Sequence, residues 1–382
     1  MTEKIIEGIK YLLEEETLTA EVIKNPNGYR GNIIIPETIV FNEVTYRVTS
    51  VGKQAFGNCF SLTSVVIPNS VTSIGRDAFW GCDSLKSIVI SNGVTSIGAA
   101  AFMGCDSLKS IVIPNSVISI EDNAFKACVS LKSIVIPESV TSIGEEVFWG
   151  CDSLTSIIVA EGNTIYDSRN QCNAIIETAT NKLISVCKKT IIPDGVTSIG
   201  SVFSQCDFLT SITIPDSVKS IGKYAFYGCD SLTSIVIGNG VTSIGETAFD
   251  DCSSLTSIVV AEGNTVYDSR EQCNAIIHTA TNTLISGCQN TIIPDSVKSI
   301  GEAAFDGCSS LTSIVIPDSV TSIGEAAFMG CDSLKSITFN GTKMQWNSIE
   351  LGDEWNCEIP AQIVRCTDGN VKIEEWLYDE NT

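Results

Sequence analysis

Histidine is nearly absent from this sequence, with one residue in 382. The imidazole is the usual acid–base group near neutral pH and a common zinc ligand, so its scarcity argues against hydrolytic and zinc-dependent catalysis. The sequence has no glycine-rich phosphate loop between a strand and a helix, and its serines lack the base that normally activates a serine nucleophile. We therefore predict a protein that is not an enzyme and that holds no metal or cofactor.

Charge is also scarce, at 18% of residues, and strongly one-sided. There are 23 Lys and Arg against 45 Asp and Glu, which gives a net charge of −22. A protein with this net negative charge repels phosphate backbones and anionic lipid headgroups, so binding to nucleic acid is not expected.

Long apolar runs are missing too. None approaches the roughly 20 residues that span a bilayer, so membrane insertion is not expected. Residues 1–20 show no uninterrupted apolar segment of the kind found in signal peptides. On the sequence alone, a cell-surface or secreted location and a cytoplasmic one both remain open.

A short repeat occupies most of the chain. Phenylalanines recur at intervals of 23 within three series: Phe56, Phe79, Phe102, Phe125 and Phe148; Phe203, Phe226 and Phe249; and Phe305 and Phe328. Around each, the pattern is A-F-x-x-C-x-S-L-x-S-I-x-I-P-x-x-V-x-S-I-G. One copy cannot enclose a core, but stacked copies can, as in a solenoid. We predict 23-residue coils, each with one short parallel strand and a short helical or 3₁₀ turn at A-F-x-x-C. A parallel β-helix is the alternative.

Two longer segments interrupt the repeat, at 154–200 and 255–301. Each adds about one coil and a projecting hairpin, near 160–190 and 261–291. A symmetric hairpin centred between residues 179 and 180 would place Cys172 opposite Cys187, so a cross-strand disulfide is one alternative there, and the same applies to Cys273 and Cys288. His278, the single histidine, corresponds to Glu177 of the first copy and is expected on the hairpin surface.

The ends depart from the repeat. The first and last coils of an open stack would expose apolar core side chains to solvent, so both ends of a solenoid need a cap. We therefore assign residues 1–48 to an N-terminal cap, 49–339 to the solenoid with its hairpin insertions, and 340–382 to a C-terminal cap with an acidic tail.

The repeat unit resembles the BspA-like, treponemal type of leucine-rich repeat. The segments Ile34-Ile35-Pro36 and Phe339-Asn340-Gly341 are similar to that family's ends. The resemblance implies a leucine-rich-repeat solenoid and a bacterial surface protein that adheres to proteins of a host or a neighbouring cell. It implies no catalytic site.

Buried structural roles are predicted for the repeated Phe and Cys. The thiols lie 23 residues apart on parallel coils, which suits small buried residues with a weak S–H donor rather than clustered zinc ligands. The central examples are Phe79, Phe102, Phe125, Cys82, Cys105 and Cys128. Asp often follows the Cys, but this column is broken by other residues, so a local turn hydrogen bond is favoured over calcium.

A surface for a partner is predicted on the strands. In L-x-x-I-x-I the Leu and Ile point inward, so the intervening positions face solvent and form a Ser row beside a Val row. The candidate residues are Ser87, Val89, Ser110, Val112, Ser133, Val135, Ser234, Val236, Ser313 and Val315. Strand propensity alone also explains Ser and Val there, so a spacer without its own ligand remains an alternative.

The insertions supply further candidates, because Tyr and Arg are enriched at interface hot spots. These are Tyr166, Arg169, Tyr267 and Arg270. The sequence thus predicts a protein-binding solenoid, expected to be monomeric, with an intracellular scaffold as a further alternative.

Overall fold

The computed structural model describes residues 1–373, which form two compact units, 1–191 and 192–373. Each unit is a β-solenoid, and the described residues contain about 14 turns of roughly 23 residues, which confirms the predicted leucine-rich-repeat solenoid. Trp376 and the acidic run of the tail lie outside the described residues.

The regular secondary structure of the first unit consists of short strands and one 3₁₀ turn. The strands are β1 (Thr2–Ile6), β2 (Ile9–Glu14), β3 (Thr19–Val22), β4 (Gly31–Ile34), β5 (Thr38–Phe41), β6 (Val44–Val51), β7 (Leu62–Ile67), β8 (Ser73–Ile74), β9 (Ser87–Ile90), β10 (Ser96–Ile97), β11 (Ser119–Ile120), β12 (Ser133–Ile136), β13 (Ser142–Ile143), β14 (Ser156–Val159), β15 (Tyr166–Asp167), β16 (Ile175–Glu177) and β17 (Lys182–Ser185). One 3₁₀ turn spans Arg169–Gln171.

The second unit repeats this plan. Its strands are β18 (Ser198–Ile199), β19 (Ser211–Ile214), β20 (Ser220–Ile221), β21 (Ser234–Ile237), β22 (Ser243–Ile244), β23 (Ser257–Val260), β24 (Tyr267–Asp268), β25 (Ile276–His278), β26 (Thr283–Ser286), β27 (Ser299–Ile300), β28 (Ser313–Ile316), β29 (Ser322–Ile323), β30 (Ser336–Phe339), β31 (Glu350–Leu351), β32 (Ile363–Cys366) and β33 (Gly369–Lys372). The 3₁₀ turns are Ser201–Phe203 and Arg270–Gln272, and the helix α1 is Lys343–Trp346.

Most regular coils contribute to two parallel ladders. The longer strands of the S-I-x-I segment pair in register, as in β7–β9 and β21–β23. The two-residue S-I strands pair in a second ladder, as in β8–β10–β11–β13. The longer strands alternate between outward and buried residues because successive side chains of a strand point to opposite faces. In β9 and β12 the pattern is exposed, buried, exposed, buried.

The A-F-x-x-C segment is not the helical turn that the sequence predicted. In a regular coil it is a series of three overlapping hydrogen-bonded turns, Gly75–Ala78, Asp77–Trp80 and Phe79–Cys82. Residues on both sides of the Phe are left-handed, with φ 55° at Asp77 and 65° at Gly81. A right-handed helix cannot continue through such residues. The N–H groups of Asp77, Phe79 and Gly81 donate to carbonyl oxygens of the next coil instead, that of Phe79 to Ala101 at 2.7 Å. A 3₁₀ turn occurs at Ser201–Phe203, where the repeat is one residue shorter.

The core of each unit contains a column of stacked phenyl rings. Phe79, Phe102 and Phe125 are fully buried. Their ring centroids lie 5.1 and 5.3 Å apart along the column, with planes within 5° of parallel. The second unit repeats the stacking between Phe226 and Phe249 at 5.5 Å.

The chain ends differ from the regular coils. Residues 1–48 begin with the antiparallel strands β1 to β3, which then pair in parallel with β6. After β30 the aromatic column passes from Phe328 to Trp355 and Trp346, both buried tryptophans in edge contacts of about 6 Å. We retain the two cap assignments as proposals.

Both insertions form the predicted antiparallel hairpin, β16–β17 and β25–β26. The pairs Glu177–Lys182 and Ile176–Leu183 centre it between residues 179 and 180, but a bulge shifts the register at Ile175. Cys172 precedes the strand, at the end of a 3₁₀ turn, so it does not face Cys187. The disulfide alternative is therefore wrong in both copies, and all four thiols are free.

Candidate binding surface

The Val row of the first unit is exposed along its length. Val89, Val112 and Val135 are 54%, 77% and 51% exposed, although their neighbours in the strand sequence are buried isoleucines. In register, Val66 pairs with Val89 and Val135 pairs with Ile158. In the second unit Val236 and Val315 are 38% and 51% exposed. The row therefore places branched apolar side chains in water on consecutive coils.

The row contains more members than the sequence pattern identified. Ile34, Ile158 and Ile191 of the first unit, and Val259 and Ile292 of the second, lie at the equivalent position and are all exposed by at least 44%. The signal was available, since Ile34, Ile191 and Ile292 all stand two residues before a proline, as Val135 does. Reliance on the 23-residue spacing concealed them, because the cap and the insertions interrupt that spacing.

The Ser row accompanies the Val row. Ser87, Ser110, Ser133 and Ser313 are exposed and Ser234 is half-buried. In register, Ser64 pairs with Ser87 and Ser313 with Ser336. We name the combined surface of the Ser and Val rows the strand face. Its side chains are uncharged.

The ladder is interrupted in the middle of the strand face of the first unit. The sheet β4–β7–β9 ends at β9 and the next sheet begins at β12, so residues 110–113 join neither. Within the described chain these four residues form no backbone hydrogen bond to an adjacent coil. A groove of about 520 Å³ opens beside them, lined by Asn92, Val112, Ile113, Pro114, Asn115 and Ser116. Val112, the most exposed valine of the row, stands at this groove.

The insertion tyrosines do not belong to the exposed surface, which corrects the sequence-based expectation. Tyr166 and Tyr267 are only 6% and 7% exposed. The hydroxyl of Tyr166 accepts a hydrogen bond from the N–H of Ile143 at 3.1 Å, and Tyr267 does the same with Ile244. A ring already buried against its own chain offers little area to a partner, so both tyrosines are structural.

The insertion arginines also form hydrogen bonds and ion pairs within their own insertions. The guanidinium of Arg169 contacts the Asp167 carboxylate through Nε and Nη2 and donates to the side-chain oxygen of Asn181. Arg270 repeats the arrangement with Asp268 and Asn282. These bidentate pairs hold the 3₁₀ turn against the hairpin. We no longer propose either arginine as a docking residue.

The repeated thiols occupy the core, where seven of the ten donate to the carbonyl oxygen of a Phe in the preceding coil. The Sγ of Cys105 donates to the carbonyl oxygen of Phe79 at 3.3 Å, and the Sγ of Cys82 and Cys128 donate likewise to Phe56 and Phe102 at 3.1 Å. Burial raises the pKa of Cys82 and of Cys128 to about 12 and that of Cys105 well above its ordinary value. At neutral pH these thiols are protonated donors with little nucleophilic character.

We expect these thiols to react slowly in the folded protein and rapidly once it unfolds. At pH 8 an aromatic disulfide reagent should modify the ten column cysteines only at the rate of local opening, because thiolate is the reacting species. In denaturant without reductant, at least those ten should titrate as free thiols. Finding most of them oxidised would contradict the packing role. The ten are Cys59, Cys82, Cys105, Cys128, Cys151, Cys206, Cys229, Cys252, Cys308 and Cys331.

A group of carboxylates lies close together in the second unit. Asp250 is 8% exposed, and burial together with the charges of Asp306 and Asp251 raises its pKa to about 7. Burial and the Asp251 charge raise the pKa of Asp306 to about 6. Since both folded-state values exceed the ordinary value near 4, protonation stabilises the fold, and this stabilisation is lost as pH rises through about 6 to 7.

We therefore expect the second unit to be more stable at pH 5 than at pH 8, by on the order of 1–3 kcal/mol. Urea unfolding followed by a probe in residues 192–373 would measure the difference. Asp250→Asn should reduce it, mainly by stabilising the protein at pH 8, whereas the exposed Asp332→Asn should not. An unchanged difference in Asp250→Asn would contradict this assignment.

No metal-binding arrangement was found in residues 1–373, where no group of three or more His, Cys, Asp or Glu could hold an ion. His278 is half-buried on β25, where its Nδ1 lies 3.0 Å from the hydroxyl of Thr281. Within the same residues there is no helix of the length and apolarity that crossing a bilayer requires.

Comparison with known proteins agrees with this geometry. Residues 49–175, 181–282 and 283–350 match the model of the BspA type leucine rich repeat region, in six copies. A leucine-rich repeat protein from Bacteroides ovatus ATCC 8483 is similar, with 28% identity, a TM-score of 0.54 and coverage of 93% of this chain and 92% of its own. One from Eubacterium ventriosum ATCC 27560 has 20% identity, a TM-score of 0.53 and coverage of 100% and 98%.

The pneumococcal vaccine antigen PcpA has 19% identity to this chain, a TM-score of 0.50 and coverage of 96% of this chain and 88% of its own. At their identities, the antigen and the Eubacterium protein show the fold alone. No curated protein matches the chain in sequence.

Proposed function

Since the chain belongs to the BspA-type leucine-rich repeat family, we propose that it is a non-enzymatic protein-binding solenoid, displayed on a bacterial surface or secreted, that adheres through its strand face. The observation that carries the proposal is the exposed row of valine and isoleucine side chains. The partner is a protein of a host or neighbouring-cell surface, as the repeat resemblance implies. The described residues form repeats of a kind that commonly mediates protein interactions.

The size and continuity of the row support binding. The phenyl rings of the three coils that carry Val89, Val112 and Val135 lie 5.1 and 5.3 Å apart, so these valines follow one another over about 10 Å. Soluble monomers rarely expose large contiguous apolar patches without an interaction role.

Strand propensity does not explain the apolar choice. Thr213 and Thr338 occupy the same row in the second unit and pair in register with Val236 and Val315. Threonine is a good strand residue and is polar, so the ladder tolerates a polar side chain at this position. Valine and isoleucine in most coils therefore favour an interaction surface over a spacer.

The proposal is tested by removing apolar character without changing side-chain shape. The triple variant Val89→Thr, Val112→Thr and Val135→Thr keeps β-branching. We expect saturable binding of the wild-type protein to intact bacterial cells or to immobilised extracellular-matrix proteins, and a loss of affinity of at least about tenfold in the triple variant.

Ile118→Thr is the matched control, because Ile118 is 51% exposed but precedes the short strand β11, away from the strand face. Its binding should equal that of the wild type, and the melting temperatures of all variants should agree closely. Absence of saturable binding to every surface would favour the spacer. Equal binding by the triple variant would place the contact elsewhere.

A further inference from the structure

A column of lysines borders the strand face in the first unit. Lys86, Lys109 and Lys132 stand one residue before Ser87, Ser110 and Ser133, and all three lysines are exposed. In residues 1–373, none of the three forms an ion pair with a carboxylate within 4.0 Å. The N–H of Lys132 donates to the carbonyl oxygen of Lys109 at 3.2 Å, so these two lysines lie on adjacent rungs.

This column is unfavourable for the isolated protein. Like charges directly opposite each other on neighbouring strands destabilise a sheet, and the rungs are only about 4.8 Å apart. The fold does not require lysine here, because four of the five equivalent positions of the second unit carry threonine, at Thr210, Thr233, Thr256 and Thr312, and only the fifth, Lys335, carries lysine. Three stacked cations in a chain of net charge −22 are therefore a local feature that folding does not explain.

The apolar row and the groove lie on the same three coils. Val89, Val112 and Val135 follow the lysines by three residues, and the interrupted ladder at 110–113 opens the groove beside Val112. A ligand here meets, in order, a cation column, a Ser row, an apolar row and a groove. We name this surface, on residues 86–92, 109–116 and 132–138, the lysine–valine patch.

We propose that the lysine–valine patch binds an extended, acidic segment of the partner protein, with carboxylates over Lys86, Lys109 and Lys132 and an apolar side chain at the groove beside Val112. This inference rests on the proposed function and specifies the chemistry of its partner. Charge complementarity selects the acidic residues, and the arrangement of the three lysines in one column on consecutive coils selects a segment extended along that column.

The dimensions fit such a segment. The three coils span about 10 Å, since their phenyl rings lie 5.1 and 5.3 Å apart. Side chains on one face of an extended chain repeat about every 6.6 Å, so two alternate carboxylates lie within reach of three flexible lysine side chains. The valine row distinguishes a protein from a sulfated polysaccharide, because a polyanion without apolar groups gains nothing from Val89, Val112 and Val135.

The test uses a short fluorescent peptide of alternating Glu and Val as the probe, with the Gln–Val peptide as its neutral counterpart. We expect the wild-type protein to bind the Glu–Val peptide, and to bind it more weakly at high salt because exposed charges are screened. The variant Lys86→Gln, Lys109→Gln and Lys132→Gln should lose affinity by about tenfold. The charge-retaining variant with Arg at all three positions should keep it, and so should Lys335→Gln, which removes an exposed lysine of the second unit.

Three results would overturn the inference: no binding of the Glu–Val peptide, equal binding of the Gln–Val peptide, or equal affinity in the Lys→Gln variant. Lysine-dependent binding of heparin without binding of the peptide would also overturn it, in favour of a polysaccharide. The proposed function is judged separately by the cell and matrix assay. If the Val→Thr variant loses binding there while the peptide fails here, the adhesive strand face stands and only the acidic partner is wrong.

Discussion

Replacement of Phe102 by alanine is expected to lower the free energy of unfolding of the first unit by about 3–5 kcal/mol. The ring is fully buried and stacked between Phe79 and Phe125 at 5.1 and 5.3 Å. Its removal leaves a cavity and two rings that each lose one stacking partner, which adds to the transfer cost. Phe125→Ala should cost a similar amount. Because each coil packs only on its neighbours, unfolding should begin near the lesion.

Urea denaturation of the intact protein would measure the change, with hydrogen exchange locating the first region to open. Phe60→Ala is the matched control, since Phe60 is 57% exposed and its loss should cost no more than about 0.5 kcal/mol. Cys105→Ala removes a smaller buried group from the same coil and should cost far less than Phe102→Ala. If Cys105→Ala proved the more destabilising change, the thiol column would have a role beyond packing.

Asn163→Ala is expected to destabilise the first unit by about 3–4 kcal/mol. The side chain is 8% exposed. Its Nδ2 donates to the carbonyls of Pro137 and Val140 at 2.9 and 2.8 Å, and its Oδ1 accepts from the N–H groups of Ile165 and Tyr166 at 2.9 and 2.8 Å. One amide thus ties the first insertion to the preceding coil, and alanine leaves several buried polar groups without that partner.

The duplicated Asn264 gives an independent repeat of the experiment, since its amide bonds Gly238, Val241, Val266 and Tyr267 in the same way. Asn115→Ala, at an exposed position, should change stability little. Urea denaturation would measure the change in the free energy of unfolding. Faster proteolytic cleavage within residues 160–190 would show that the insertion has lost its hydrogen bonds to the preceding coil. A cost for Asn163→Ala no greater than that for Asn115→Ala would refute the anchoring role.

Neither asparagine stood out in the sequence, and the reason is general. Both lie in the duplicated E-G-N-T segment, where Asn is common in turns, so the pattern favoured a loop. Their importance depends on carbonyls 23 and 26 residues earlier in the chain, which stacking brings within hydrogen-bonding distance. The expectation for the insertion tyrosines was wrong for the same reason, because their hydroxyl groups accept hydrogen bonds from the N–H groups of Ile143 and Ile244 in the preceding coil.

The sequence by itself determined the solenoid, the inward Phe and Cys columns, the hairpins and the outward Ser and Val rows. A 23-residue period and a two-residue alternation are enough to predict these features, since they indicate which side chains are buried together. Only the tertiary structure decided the left-handed turns at Asp77 and Gly81, the bulge at Ile175, the buried tyrosines and the groove at residues 110–113. Each of these depends on how the backbone of one coil meets the next, which the 23-residue pattern of side chains does not specify.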